Sequence, residues 1–174
     1  MIFRHPTAED GAAIWRLVRD SGVLDLNSSY CYLMMGQYFA NSCMVAVDDT
    51  AEPGQTQPLA GFVIGFRPPQ DAKTLFIWQV AVDASQRGKG IGSRLLQELL
   101  HSPVNSDVRM IEATISPSNT ASQALFKAAA AKLDAEFTKT PLFPAEWFPG
   151  DSDEHEAEDR YRVGPFTLKT HENQ

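Results

Sequence analysis

The sequence predicts an α/β (α+β) fold, on three observations. Residues 75–100 read as a strand, a glycine-rich turn and a helix in direct succession. Strand and helix patterns then alternate along the whole chain in the order β-α-α-β-β-β-α-β-α-β-β. Finally, the 174 residues are 43% hydrophobic and 21% charged, the balance of a globular chain long enough to bury a sizeable core. A single domain over residues 1–174 is expected, with its core at 3–166 and a flexible tail at 167–174.

The elements follow from local pattern. Residues 2–4 form a short strand, and Thr7 followed by Asp10 reads as a helix start. Ile14, Leu17 and Val18 give that helix its apolar stripe, and Gly22 suits its C-terminal cap. Asn27 or Ser28 caps a second helix running to Phe39. Residues 43–47 and 59–66 are strands joined by a loop rich in Asp, Pro, Gly and Gln. Branched and aromatic residues fill the strand at 75–82, and Ile91, Leu95, Leu96, Leu99 and Leu100 recur at helical spacing. A strand at 110–115, a helix at 118–132, a strand at 133–140 and a last strand at 161–166 complete the chain.

The turn carries the first chemical signal. Gly88, Gly90 and Gly92 alternate with Lys89 and Ile91, preceded by Arg87. Glycine admits backbone angles closed to other residues and lets a ligand approach the main chain. Amides in such a turn, at the positive end of the following helix, bind phosphate. A nucleoside-triphosphate loop would need Gly, four residues and Gly-Lys-Ser/Thr, a run that does not occur. A dinucleotide fold would place Gly-x-Gly-x-x-Gly after its first strand, whereas here the spacing differs and some 70 residues come first.

Charge and cysteine usage narrow the partners. The net charge is −7, and six of the 22 acids fall in residues 151–159, leaving the remainder close to neutral. That balance argues against nucleic acid. Two cysteines, Cys31 and Cys43, are too few for a disulfide scaffold and lack metal-ligand spacing, so no metal is expected. Residues 1–10 contain no apolar leader core, and no run approaches a membrane span. A reducing, cytoplasmic setting is expected, with no membrane partner.

Arg87-x-x-Gly90-x-Gly92, preceded by Val80-Ala81-Val82-Asp83, resembles the acetyl-CoA motif of the GCN5-related N-acetyltransferases (GNAT). The resemblance implies a GNAT fold: a mixed, mostly antiparallel sheet, splayed between strands 4 and 5 and flanked by helices. It assigns the coenzyme to Val80, Ala81 and Val82 along the strand and to Arg87, Gly88, Lys89, Gly90, Ile91, Gly92 and Ser93 in the turn. Residues 115–126 resemble the family's Asn-x-x-Ala-x-x-Leu-Tyr segment, which adds Asn119, Ser122 and Phe126. Taken alone, Asn119 also reads as an ordinary helix N-cap. Phe126 stands where the family often has a proton-donating Tyr, and Trp78-Gln79 where many members carry a general-base Glu.

Acetyl transfer to an amine needs that amine neutral. At pH 7 an alkylamine is uncharged in about one part in 10³, a cost of roughly 4–5 kcal/mol. A carboxylate, His or ordered water can take the proton, and the Val80 amide can meet negative charge on the acyl oxygen. Residues 25–33, 75–82, 117–119 and 154–156 together are similar to the L-2,4-diaminobutyrate acetyltransferases of ectoine biosynthesis. That resemblance implies acetyl-CoA as co-substrate, transfer to the 4-amino group of diaminobutyrate, a homodimer and a role in osmotic stress. It places the amine among Asp25, Asn27, Tyr30, Tyr32, Trp78, His155, Glu156 and Glu158, with Trp78, Val80, Asp25 and Glu158 as catalytic candidates. Trp78 suits a cation–π contact, and an acidic pocket suits two ammonium groups. Another diamino acid or a polyamine is the alternative substrate, and a non-catalytic acyl-CoA-binding module the alternative of another class.

Overall fold

The computed structural model describes residues 1–49, 58–149 and 155–168. The described residues form a mixed seven-stranded sheet, in which residues 74–76 and 110–112 pair in parallel. It divides into two compact units, Met1–Phe66 with Trp78–Asp107, and Arg67–Ile77 with Val108–Gln174.

The first unit holds β1 (Ile2–Arg4), α1 (Gly11–Ser21), α2 (Ser29–Tyr38), β2 (Met44–Val47), β3 (Leu59–Phe66) and α3 (Ile91–His101). It also takes the C-terminal half of β4 (Thr74–Val82). β1–β2 and β2–β3 are antiparallel, with Phe3 opposite Ala46 and Val45 opposite Phe62. Ile14, Leu17 and Val18 of α1 are buried as their spacing requires, and with Tyr32, Met35, Val45, Phe62 and Ile64 they build the core. The α3 stripe Ile91, Leu95, Leu96, Leu99 and Leu100 is buried in full. Gly22 ends α1 in the left-handed conformation at φ 66°.

A short 3-10 turn at Ala8–Asp10 opens α1. Asp10 Oδ2 accepts the Thr7 amide at 2.7 Å, and Arg4 donates to both Asp10 oxygens at 2.8 Å. Burial pushes the Asp10 carboxyl up, but the Arg4 bonds and the Thr7 amide outweigh it and hold it below the ordinary aspartate value. This braced turn lies against α2 so closely that a Cβ at Gly36 would stand 2.2 Å from Thr7 O.

The second unit holds the N-terminal half of β4, β5 (Met110–Ile115), α4 (Thr120–Leu133), β6 (Phe137–Phe143) and β7 (Glu158–Val163). Thr74, Leu75 and Phe76 pair in parallel with Met110, Ile111 and Glu112. That register stops at Phe76, whereas β4 runs on to Val82. β7 is antiparallel to both β5 and β6. Pro141 falls in β6, whose strand partner is β7, as a residue without an amide proton requires.

The boundaries between residues 133 and 166 differ most from the sequence pattern. Leu133 closes α4 instead of opening β6, because Asp134 takes the left-handed conformation (φ 49°) and caps the helix. β6 therefore starts at Phe137 and extends to Phe143. β7 begins at Glu158, three residues before Tyr161, since Asp159 pairs with both Ile115 and Pro141. It ends at Val163, and Phe166, expected within that strand, is held by its amide donating to Arg109 O at 2.9 Å. Residues 151–154 of the acidic stretch, the 48–58 loop apart from its ends, and the tail from 169 lie outside the described residues.

Candidate active site

In the first unit β4 leads into the glycine turn through a capped 3-10 turn, Ala84–Gln86. Asp83 Oδ1 accepts the Ser85 amide at 2.9 Å and its hydroxyl at 2.6 Å. The Ser85 hydroxyl and amide hold the Asp83 carboxyl below its ordinary value. The Asp83 amide donates to Ala60 O at 2.9 Å, which ties the turn to β3. Gly88 and Gly90 lie at φ 75° and 74°, angles that L-residues rarely adopt, and Gly90 is the N-cap of α3.

The amides of a helix's first turn find no acceptor inside the helix, and here they come directly after Gly90. Arg87 and Lys89 stand beside them at the surface. Arg87 Nε donates to Val82 O at 3.4 Å and Lys89 Nζ to Gln86 Oε1 at 2.9 Å, bonds weak or solvent-facing enough to be exchanged for an anion. This geometry fits a coenzyme pyrophosphate: backbone amides, two cations and no side chain at Gly88 or Gly90. Val80, Val82, Gly92 and Ser93 are half-buried, and Ala81 and Ile91 are buried in the core.

The same unit carries the first group of amine candidates, around the middle of β4. Alternation along the strand buries Ile77, Gln79 and Ala81 and leaves Trp78 38% exposed. Tyr32 is wholly buried, and its hydroxyl donates to Gln79 Oε1 at 3.1 Å. Gln79 Nε2 donates to Asp25 O at 2.8 Å, while the Asn27 amide approaches Tyr32 Oη at 3.4 Å. Asp25 and Tyr30 are exposed and Asn27 half-buried. Ser28 Oγ accepts the Cys31 amide at 3.4 Å, so Ser28 is the α2 cap. Cys43 is buried beside Gly65 O, and burial pushes its thiol up to about 12; burial also raises the half-buried Cys31.

In the second unit Asn119 Oδ1 accepts the Ser122 amide at 3.1 Å, so its side-chain oxygen serves as the α4 cap. Phe126 is 2% exposed and has no titratable group. Glu156 accepts both the hydroxyl and the amide of Ser118, and the hydroxyl bond chiefly keeps its carboxylate ionised below the usual glutamate range. His155 stacks on Phe148 with centroids 3.7 Å apart and planes at 9°. Its Nδ1 donates to Glu156 O at 2.6 Å. Glu158 and Asp159 are half-buried on β7, and Asp159 pairs with Lys139 at 2.9 Å.

Two features of these groups escape a reading of the sequence. Gln79 reads there as a lost general base, yet its inward position in the strand alternation already implies a polar group needing partners. The stack of Phe148 on His155 is set by tertiary packing and leaves no local signal. Among the described residues, no cluster of three or more His, Cys, Asp or Glu could hold a metal, and no helix is long and apolar enough to cross a membrane.

The model of the Acetyltransferase (GNAT) family matches residues 13–130, more than half of the chain. The chain belongs to the GNAT family. Among GNAT proteins it is 51% identical to an L-2,4-diaminobutyric acid acetyltransferase from Marinococcus halophilus, over 96% of this chain and 91% of that one. Its identity to the enzyme of the same name from Halalkalibacterium halodurans is 48%, over 92% and 80%. A GNAT structure, diaminobutyrate acetyltransferase EctA from Paenibacillus lautus in complex with its substrate L-2,4-diaminobutyric acid and coenzyme A, is 42% identical. It superposes with a TM-score of 0.86 over 97% of this chain and 96% of its own.

Proposed function

We propose that this chain is an acetyl-CoA-dependent N-acetyltransferase acting on the 4-amino group of L-2,4-diaminobutyrate. The observation that carries the reading is the likeness to the Paenibacillus lautus enzyme, whose structure holds that substrate and coenzyme A and matches nearly the whole chain. Acetyl-CoA supplies an acetyl group already activated as a thioester. Arg87, Lys89 and the amides from Gly88 to Ser93 would hold its pyrophosphate, and Val80 to Val82 its pantetheine arm. Asn119, Ser122 and Phe126 complete the proposed coenzyme set.

The chain's own task is to present a neutral amine. Gln79 has no proton to exchange at neutral pH, and both ends of its amide are engaged, so the proton leaves by another route. Asp25 and Glu158 are the carboxylates we assign to the substrate's ammonium groups, with Asn27, Tyr30, His155 and Glu156 as further contacts. The Trp78 face, open to solvent, would cover one ammonium. The Val80 amide would meet negative charge on the acyl oxygen. By the same reading, the chain is one N-acetyltransferase domain and works as a cytoplasmic homodimer. Its N4-acetyl product feeds ectoine formation under osmotic stress.

Release of coenzyme A thiol in the presence of a panel of amines tests the assignment. Diaminobutyrate is expected to be turned over far faster than ornithine or spermidine. Equal rates on all three would sink the narrow substrate, and tight coenzyme binding without thiol release would point to a binding module. Asp25→Asn and Glu158→Gln should each raise KM for diaminobutyrate or lower kcat by about tenfold or more. KM for acetyl-CoA should stay within about twofold of the parent. Full activity in both variants would show the amine to bind elsewhere.

A further inference from the structure

Gln79 sits where a general base is absent, and its surroundings give it a different task. The side chain is 6% exposed, and a polar group so placed is tolerated only with its bonds made. Those bonds can be oriented without ambiguity. Asp25 O can only accept, so the Gln79 atom 2.8 Å away is the amide nitrogen. Oε1 therefore faces Tyr32, whose hydroxyl proton it receives at 3.1 Å. With its proton committed, the Tyr32 oxygen can only accept from Asn27, whose amide and Nδ2 lie at 3.4 and 3.5 Å. The result is a one-directional chain, Asn27 to Tyr32 to Gln79 to Asp25.

This chain begins and ends on one short segment. Residues 25–27 form no helix or strand and lie between the α1 cap Gly22 and the α2 cap Ser28, with Leu26 exposed. The Gln79–Tyr32 pair, anchored on β4 and α2, holds it at both ends. A glutamate at position 79 would keep the Tyr32 bond but would turn a second acceptor toward Asp25 O. The amide, not the acid, is what this position requires.

We infer that Gln79 is a positioning residue for the amine substrate, fixing Asp25 and Asn27 through Tyr32, and that it takes no part in proton transfer. The inference rests on the diaminobutyrate reading above. It separates two functions of β4: residues 80–82 serve the proposed coenzyme site, whereas Gln79 governs the amine side alone.

Steady-state kinetics on Gln79→Leu, Tyr32→Phe and the double variant test it, each with its melting temperature measured. Gln79→Leu is expected to raise KM for diaminobutyrate by about tenfold, with KM for acetyl-CoA unchanged. Tyr32→Phe, which removes one hydroxyl, should give a smaller change of the same kind. The double variant should be no worse than Gln79→Leu, because both remove one connected unit. Should Gln79→Leu fail to fold, Tyr32→Phe alone carries the test. An unchanged KM for diaminobutyrate in a folded variant would overturn the inference and leave the proposed activity standing, as would equal rises in both KM values. A parent protein that does not acetylate diaminobutyrate would overturn both together.

Discussion

Gly90→Ala is expected to weaken coenzyme A binding by about a hundredfold or more, while Gly88→Ala is expected to leave it within a few-fold of the parent. Both glycines have nearly the same positive φ, and neither would bring a new Cβ within 4 Å of another atom. Each alanine therefore meets about the same left-handed strain, of order 1–2 kcal/mol, and no clash within the protein. The two differ in their place relative to the helix. Gly90 is the cap of α3, so its methyl would stand at the mouth of the helix's first-turn amides. Gly88, two residues earlier, would serve the coenzyme through its amide. Losing two charge-assisted bonds to a diphosphate at about 1.5–3 kcal/mol each corresponds to the hundredfold loss. Calorimetric titration with coenzyme A, alongside melting curves, separates the two effects. Equal losses of affinity in both variants would mean that strain alone, not contact with the ligand, makes the turn glycine-rich.

Gly36→Ala should reduce the free energy of unfolding by about 3 kcal/mol or more. In an isolated helix the same change would stabilise by about 1 kcal/mol. Here the new methyl would meet Thr7 O at 2.2 Å, Thr7 C at 2.6 Å and Ala8 N at 3.0 Å, all backbone atoms. That backbone cannot easily yield. Thr7 is held by Asp10 through its amide, its carbonyl accepts the Asp10 amide at 3.1 Å, and Asp10 is gripped by Arg4. Relief requires moving α2 or breaking the turn, and either exceeds the usual overpacking cost. A loss of this size is a large part of a domain's total stability. Urea unfolding monitored by circular dichroism measures it, and a change smaller than about 1 kcal/mol would show the turn to be softer than its bonding implies.

The fold is most legible in the sequence where one periodic face meets one core. The stripes Ile14–Leu17–Val18 and Ile91–Leu95–Leu96–Leu99–Leu100 read directly as helices, and the strand at 110–115 matches its pattern to the residue. Legibility is poorest at 133–166. There Asp134 stops a helix by a left-handed turn that local pattern does not demand, and acidic residues enter a strand because β5 and β6 both pair with it. At the site, the glycine turn is legible because its chemistry is local: positive φ, amides and cations within a few residues. The amine side is legible only as a set of residue types. Tyr32 and Gln79 are 47 residues apart, and only tertiary structure shows that each completes the other's bonding.

Cysteine burial has a kinetic consequence. A thiol held near 12 is almost never ionised at neutral pH, and Cys31 is also less acidic than a free thiol, so neither suits a covalent relay for the acyl group. On the proposed activity, donor and acceptor are then expected to occupy the protein together. Initial-rate plots at several fixed concentrations of one substrate should give intersecting lines, and parallel lines would demand a nucleophile other than cysteine.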